Sequence, residues 1–273
     1  MKTTIIGGNG FIGSHLIQHL KLIGEEYYAP DRHDRSIFTK PLGNVIYCAG
    51  VTSDFRSRPF DTVKAHVSDL AELLENADFN SFLYLSSTRI YIHQSNNSTG
   101  TVDAFITIDP NDTEELFNLT KLTGESLCLS IRRPNVRIAR LSNVCGDDFQ
   151  SNNFIYSILK DAIYKGKITL YSSLDSSKDY ISVDDVVALL LKISKKGKSK
   201  LYNVASGIKI SNSEWVDTIS KITGCSVDIV PNAKKISFPT IDIGGIKEEF
   251  HYVPKNCLEM TEDLISYLKR ERN

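Results

Sequence analysis

The sequence predicts an α/β fold: a doubly wound parallel sheet with a small discontinuous C-terminal lobe. A β-branched run, TTII at Thr3 to Ile6, enters a glycine cluster and leaves it as the amphipathic stretch FIGSHLIQHLKLIG. Short apolar runs then alternate with helical stretches, the pattern of strands joined by crossover helices. The later segments are discontinuous and read as a smaller lobe.

The elements follow in order. Residues 3–6 form the first strand, and Phe11, Leu16 and Leu20 recur at helical spacing, so the first helix covers roughly 11–23. EYYAP (26–30) is a strand ending at Asp31, and NVIYCA (44–49) is another ending at Gly50. The interval from Asp31 to Asn44 cannot hold a full helix plus strand, so one crossover unit is expected to be missing. Val63, Val67, Leu70, Leu73 and Leu74 mark a helix over 61–77, and SFLYLSS (81–87) is a strand running into small polar residues. A polar loop spans 92–111. DTEE (112–115) resembles a capping box, with Asp112 as cap and Glu115 three residues on. The helix it opens runs to about Ile131 and puts Phe117 and Lys121 at i and i+4, on one face. VRIARL (136–141) is a strand; a helix over 152–165 and a strand at 167–171 follow. Residues 180–193 read as a strand feeding a helix, 200–206 as a strand, 211–224 as a capped helix ending at Gly224, and CSVDIVP as a strand. LEMTEDLISYLKR closes the chain as an amphipathic helix.

Bulk composition narrows the function. The 273 residues are 41% hydrophobic and 24% charged, a soluble globular mix. A formal net charge of −1 gives no footing for a nucleic-acid binder. The lysines from Lys192 to Lys200 read as a solvated helix end. Cys48, Cys128, Cys145, Cys225 and Cys257 are scattered without a CxxC pair, so free thiols in a reducing, cytoplasmic compartment are expected. No metal site is expected. TTII is too short for a signal peptide, and no run reaches membrane-spanning length. The sequon at Asn96 reads as a polar loop.

Gly7, Gly10 and Gly13 space as GxxGxxG between the first strand and the first helix. Such glycines let the backbone turn tightly beside a pyrophosphate, which the helix N-terminus favours. Asp31 ends the next strand, 18 residues after Gly13, where a carboxylate accepts from both adenosine ribose hydroxyls and repels a 2′-phosphate. That favours NAD. Arg32 beside it could pair with a phosphate and leaves NADP open. The division expected is a dinucleotide domain over 1–150, joined by about 178–206, and a substrate lobe from about 151–177 and 207–273.

Six strings in order resemble the extended short-chain dehydrogenase/reductase family, of the NAD-dependent epimerase/dehydratase type that mostly acts on nucleotide sugars. They are IIGGNGFIG, YLSSTRIY (84–91), LFNLTKLTGE (116–125), RLSNVCGDD (140–148), KDYISVDDV (178–186) and LYNVASG (201–207). The resemblance implies a Rossmann-like domain, a nucleotide-sugar substrate and a homodimer through the helices near 61–77 and 112–131. It implies that Ser87 orients the substrate oxygen and that Lys121 holds the nicotinamide ribose. Phe11, Ile12, Cys48, Ala49, Gly50 and Ser86 then line the cofactor. Phe117 stands where the family has the catalytic tyrosine of YxxxK. Cys145 replaces the tyrosine of an Asn-Val-Tyr-Gly pattern, and Lys178 stands where arginine is usual.

A proton partner must accompany hydride transfer, and Phe117 cannot be that partner. Ser87, Lys121 or His66 could feed a relay; His66, in place of a family asparagine, could equally only hold a structural hydrogen bond. Thr52, Arg56, Thr88, Asn143, Asn153, Phe154 and Lys178 are the remaining substrate candidates, with Lys178 reaching a diphosphate. Tyr91 is expected to pack near the nicotinamide. The Thr-Asp-Glu triad of the resembling dehydratases reads here Ser87, Thr88, Arg89, which disfavours elimination. The expectation is a nucleotide-sugar ketoreductase or dehydrogenase acting at C4, with an epimerase next. A decayed cofactor-binding subunit and a tyrosine-to-phenylalanine inactivated variant also stay open.

Overall fold

The computed structural model describes residues 2–95, 97–149 and 151–271. The sequon's Asn96 and the domain limit at Gln150 lie outside the described residues. The strands are β1 (Thr3–Ile6), β2 (Tyr27–Tyr28), β3 (Asn44–Tyr47), β4 (Ser81–Ser87), β5 (Thr99–Gly100), β6 (Val136–Leu141), β7 (Asn143–Cys145), β8 (Lys167–Ser172), β9 (Ser177–Ser182), β10 (Leu201–Val204), β11 (Lys209–Ser211), β12 (Ser226–Lys234) and β13 (Thr240–Ile241). The helices are α1 (Phe11–Leu22), α2 (Pro59–Val63), α3 (Asp69–Asn76), α4 (Leu116–Ser130), α5 (Phe154–Lys160), α6 (Val183–Lys196), α7 (Asn212–Thr223), α8 (Gly244–Phe250) and α9 (Thr261–Glu271).

Six strands form one parallel sheet in the order β10-β6-β4-β3-β1-β2. Side chains alternate along each strand, so the two faces carry different residues. Ile46, Leu83, Leu85, Ala139 and Leu141 pack with Leu16 and Leu20 of α1 and with Val186, Leu190 and Ile193 of α6. Val45, Tyr47, Phe82, Tyr84, Val136 and Ile138 pack with Leu70, Leu73 and Leu74 of α3 and Cys128 of α4. Both faces are covered, which is why the central strands are buried throughout. Between β2 and β3 the chain makes only one 3-10 turn, Arg35–Phe38, capped by Asp34. The missing crossover unit is thus seen directly. The chain leaves β1 toward β2 and returns to the other side of β1 at β3, which opens a crevice beyond the strand ends.

A second core gathers Tyr156, Leu159, Ile168, Tyr180, Trp215, Ile219 and Leu264 from β8, β9, α5, α7 and α9. Ile241, Ile243, Ile246 and Tyr252, from β13, α8 and the turn beyond it, join the large core instead.

Two local expectations change. DTEE is not a capping box: the Asp112 carboxylate accepts from Glu114 N at 2.9 Å and caps a 3-10 turn. Glu115 turns inward, where its carboxylate meets His93 Nε2 at 2.7 Å and accepts from Asn118 Nδ2 at 2.9 Å. A capping box does form at Ser211 and Glu214, and its helix ends at Gly224 with φ +72°. The helix expected over 61–77 is split by a π turn at Lys64–Ser68, which holds His66.

Candidate active site

Adjacent strands β2, β1, β3 and β4 deliver Asp31, Gly7, Gly50 and Ser87 in that order along the carboxyl edge of the sheet. Gly7 has φ +88°, and a Cβ there would lie 2.7 Å from Ala49 N. At Gly13 a Cβ would lie 2.3 Å from Gly7 O. Side chains are therefore excluded where α1 packs against the turn, and the bare backbone is left for a ligand. Gly10 is the N-cap of α1 and offers no side-chain cap to the helix N–H groups. Phe11 packs edge-on to His15, and Ile12 packs on the large core. The turn suits a pyrophosphate by shape and by the field of a helix N-terminus.

Asp31 and Arg32 are exposed past β2. The nearby Asp34 is already engaged: it accepts from Tyr28 Oη at 2.5 Å and Ser36 N at 2.9 Å, and these bonds hold its pKa at about 2. The Asp31 carboxylate makes no such bond among the described residues. On the other side of Gly7, Cys48 N donates to Ile6 O at 2.8 Å, which carries Ala49 and Gly50 over the sheet edge. Burial pushes the Cys48 thiol up to about 12, so it is inert packing.

Lys121 is buried, and its Nζ donates to Leu85 O at 2.8 Å. A Cβ at Gly50 would lie 3.5 Å from that Nζ, which places the ammonium directly under the strand edge. Burial lowers the Lys121 pKa to about 7, a shift that Glu125 one turn along α4 opposes. Glu125 is itself clamped by Arg140, at 3.0 Å and 2.7 Å. Ser86 is buried and its Oγ has no hydrogen-bond partner, while Ser87 Oγ accepts from Arg89 N at 3.1 Å. Thr88 is buried. Tyr91 lies inside a network: its hydroxyl receives Arg140 Nη1 at 2.6 Å and reaches Asn203 Oδ1 and Thr101 O, both at 2.9 Å. It braces the sheet end, and its hydroxyl has no part in the reacting edge.

Phe117 is buried with Val51 and Phe55 in a small apolar cluster. Its ring lies 5.5 Å from that of Phe55 and edge-on to His66, also at 5.5 Å. His66 Nε2 accepts from Val51 N at 3.2 Å. The Thr120 hydroxyl donates to Phe117 O, so His66 Nδ1 donates to Thr120 Oγ1 at 2.9 Å. Burial, then the charge of Lys121, lowers the His66 pKa to about 2. The accepting nitrogen is occupied by a backbone N–H, which has no proton to give up, so the hydrogen bonds seen here match the structural role considered for His66 rather than the relay. The residue pins the loop after β3 to α4.

The substrate candidates divide. Arg56 donates from Nε and Nη2 to the Glu114 carboxylate, which ties the loop after β3 to the start of α4. In this structure Arg56 thus acts as a strap, its guanidinium paired with a partly exposed carboxylate. Asn143 Nδ2 donates to Asp179 O at 2.8 Å. Thr52 and Asn153 are exposed, and Phe154 opens α5. Lys178 Nζ lies 5.8 Å over the Phe154 ring. Arg89 joins this group, although its sequence position drew attention only for the acid it lacks. A lone arginine after a strand carries no periodic signal. Among the described residues no cluster of His, Cys, Asp or Glu is placed to hold a metal, and no helix is long and apolar enough to cross a membrane.

The NAD dependent epimerase/dehydratase family model matches residues 3–205, from β1 through the end of the sheet. The chain belongs to that family. The chain is similar to the low-salt glycan biosynthesis protein Agl12 of Haloferax volcanii, 23% identical over 84% of each chain. A UDP-glucose 4-epimerase of Mycoplasma genitalium is 24% identical over 96% of this chain and 94% of its own. A dTDP-D-glucose 4,6-dehydratase of Dictyostelium discoideum is 22% identical over 83% of this chain, and the match spans 62% of that protein. Among solved structures, MoeE5 in complex with UDP-glucose and NAD superposes with a TM-score of 0.82 at 17% identity, with both chains covered in full. TunA, an NAD dependent NDP-hexosamine 5,6-dehydratase, gives 0.83 at 15% identity over 98% of each chain. These two confirm the fold of this family member.

Proposed function

We propose that this protein is an NAD-dependent oxidoreductase acting on a nucleotide-linked sugar, with hydride transfer at a sugar carbon, C4 in the simplest case. The supporting observation is the row of strand ends: Asp31, Gly7, Gly50 and Ser87 in spatial order, with Lys121 Nζ beneath. Asp31 would take the adenosine ribose, the Gly7 turn and α1 the pyrophosphate, and Lys121 the nicotinamide ribose. Bound NAD supplies a hydride acceptor and donor. The protein orients the sugar oxygen with Ser87, excludes water with Val51, Phe55 and Phe117, and sets a cation close to the oxygen whose proton must move. Relatives of this family work on UDP- and dTDP-linked sugars, which supports a nucleotide-sugar substrate. Epimerisation is the second reading, because the same cradle serves a sugar that is oxidised and re-reduced in place.

The reading includes a division into a dinucleotide domain and a substrate lobe, a cytoplasmic location, and a homodimer through the outer faces of α2–α3 and α4. Phe60, Val63 and Leu119 are exposed on those helices.

The test is direct. Purified protein is incubated with NAD or NADH and a panel of nucleotide sugars and their 4-keto forms, and reduced nicotinamide is followed by absorbance. A net change in cofactor redox state is expected. An altered sugar without net change would mean an epimerase, and tight NAD binding with neither would overturn the enzyme reading.

A further inference from the structure

The loop after β7, residues 146–149, is fastened to the first turns of α1 by a contact that the site described above does not use. His15 Nε2 lies 2.8 Å from Asp147 Oδ1, and His15 Nδ1 lies 2.9 Å from Phe11 O. A carbonyl and an ionised carboxylate can only accept, so the two bonds are complete only with a hydrogen on each ring nitrogen. The imidazole is then a cation held between a helix carbonyl and a carboxylate. Phe11 packs edge-on to the His15 ring at 4.9 Å, and a Cβ at Gly146 would lie 2.9 Å from Phe11 Cζ. Gly146 N donates to Tyr156 Oη at 3.1 Å, which ties the same loop to α5 in the second core. One loop thus joins the helix that starts at the glycine turn to the second core. The other charged groups nearby do not compete for His15. Burial, then the charge of Asp147, raises the pKa of the adjoining Asp148, which faces Lys160 of α5 as well as His15. Tyr267 and Arg270 of α9 line a hollow with Asp147, but the Arg270 guanidinium lies over the Tyr267 ring at 4.5 Å and its Nε donates to Ser266 O at 3.3 Å.

We propose that His15 and Asp147 form a latch that sets how long the dinucleotide stays bound: closed, it holds the loop after β7 against the first turn of α1, and the cofactor leaves when it opens. The proposal rests on the reading of the Gly7 turn as the NAD cradle. The first turn of α1 carries the N–H groups assigned to the pyrophosphate, and Phe11 of that turn is covered by Gly146. The loop is thereby one wall of the cradle. His15 and Asp147 act through that wall and are positioning residues. His15 is largely buried and Asp147 half-exposed, so the latch is a single charge-assisted bond that can break and re-form without unfolding either core.

The experiment loads the protein with NADH, displaces it with excess NAD in a stopped-flow instrument, and follows nicotinamide fluorescence from about pH 5 to 8, where an imidazole changes charge. At the acid end Asp147→Asn should release NADH at least about fivefold faster than the parent protein, a modest value for one hydrogen bond to a charged group. Association should be unchanged. Lys121 has a pKa of about 7 and titrates in the same range, so the ratio of variant to parent rates reports the latch. That ratio should fall toward one as pH rises and the imidazole loses its second proton. His15→Leu should match Asp147→Asn, and the double variant should release no faster than the faster single one. If the leucine variant fails to fold, Asp147→Ala at the half-exposed position repeats the test. Parent-like release from both Asp147 variants overturns the latch. So does a ratio that stays constant with pH, a double variant in which the single effects multiply, or slowed association with unchanged release. Failure of NADH to bind the parent protein overturns the cofactor reading beneath it instead.

Discussion

The turn between β1 and α1 and the slot around Phe117 sit on one sheet edge and are built on opposite principles. The turn works by the absence of side chains: Gly7 and Gly13 leave room that a single methyl group would fill. The slot works by side chains meeting from distant segments: Val51 and Phe55 from the loop after β3, His66 from a π turn, and Phe117 and Thr120 from α4. A backbone cradle tolerates almost no change. A packed slot can exchange one ring for another and keep its shape while its chemistry changes.

The largest effect should come from breaking the turn. Gly13→Val should weaken NAD binding by about 100-fold, the upper end of what overpacking costs where a Cβ would already meet Gly7 O at 2.3 Å, and should lower the thermal midpoint. Titration by quenching of protein fluorescence checks the first and calorimetry the second; native-like NAD affinity would mean the cradle lies elsewhere. Next, Lys121→Met should cost roughly 100-fold in turnover. It should also change the pH dependence of stability. The folded lysine releases its proton near pH 7, whereas the unfolded one holds it to about 10.5. The unfolded chain therefore binds more protons in between, and stability should climb with pH across that window by up to about 1.4 kcal/mol per unit. The methionine variant should lose the climb in denaturant titrations.

Phe117→Tyr sharpens the comparison from the other side. A hydroxyl placed beside Lys121 should raise turnover about 100-fold, the usual worth of a positioned proton donor; unchanged turnover would show that the proton already has another route. His66→Asn should have a smaller effect. The folded ring resists protonation down to about pH 2, against 6.5 for a free one, so the native protein should lose stability as pH falls below 6.5. The asparagine variant should be flatter over that range, with a loss of about 1 kcal/mol at neutral pH for the weakened pins. Asp31→Ala is the mildest: NAD affinity should fall about tenfold and the margin over NADP should narrow. An unaltered margin would remove Asp31 from the ribose.

Local patterns were legible wherever one segment carries its own reason. TTII, the glycine triplet and SFLYLSS announce strand, turn and strand, and the short Asp31–Asn44 interval announces a missing crossover. SNSE forms the capping box that DTEE only imitates. Glu115 has the right spacing for a box, but a buried carboxylate is better satisfied by His93 and Asn118 than by a frayed helix start. The three-residue strands β7 and β11 and the short helix α8 have too few residues to show a period.

By itself, then, the sequence determined the doubly wound sheet, the family and the glycine turn between β1 and α1, because each depends on residue type at fixed spacing. The tertiary structure alone decided that His66 bonds Val51 and Thr120, that Arg56 and Arg89 share the Glu114 carboxylate, and that Lys178 rests on the Phe154 ring. Those roles depend on which atoms meet across tens of residues, and side chains are assigned their partners only when burial forces every polar group to find one.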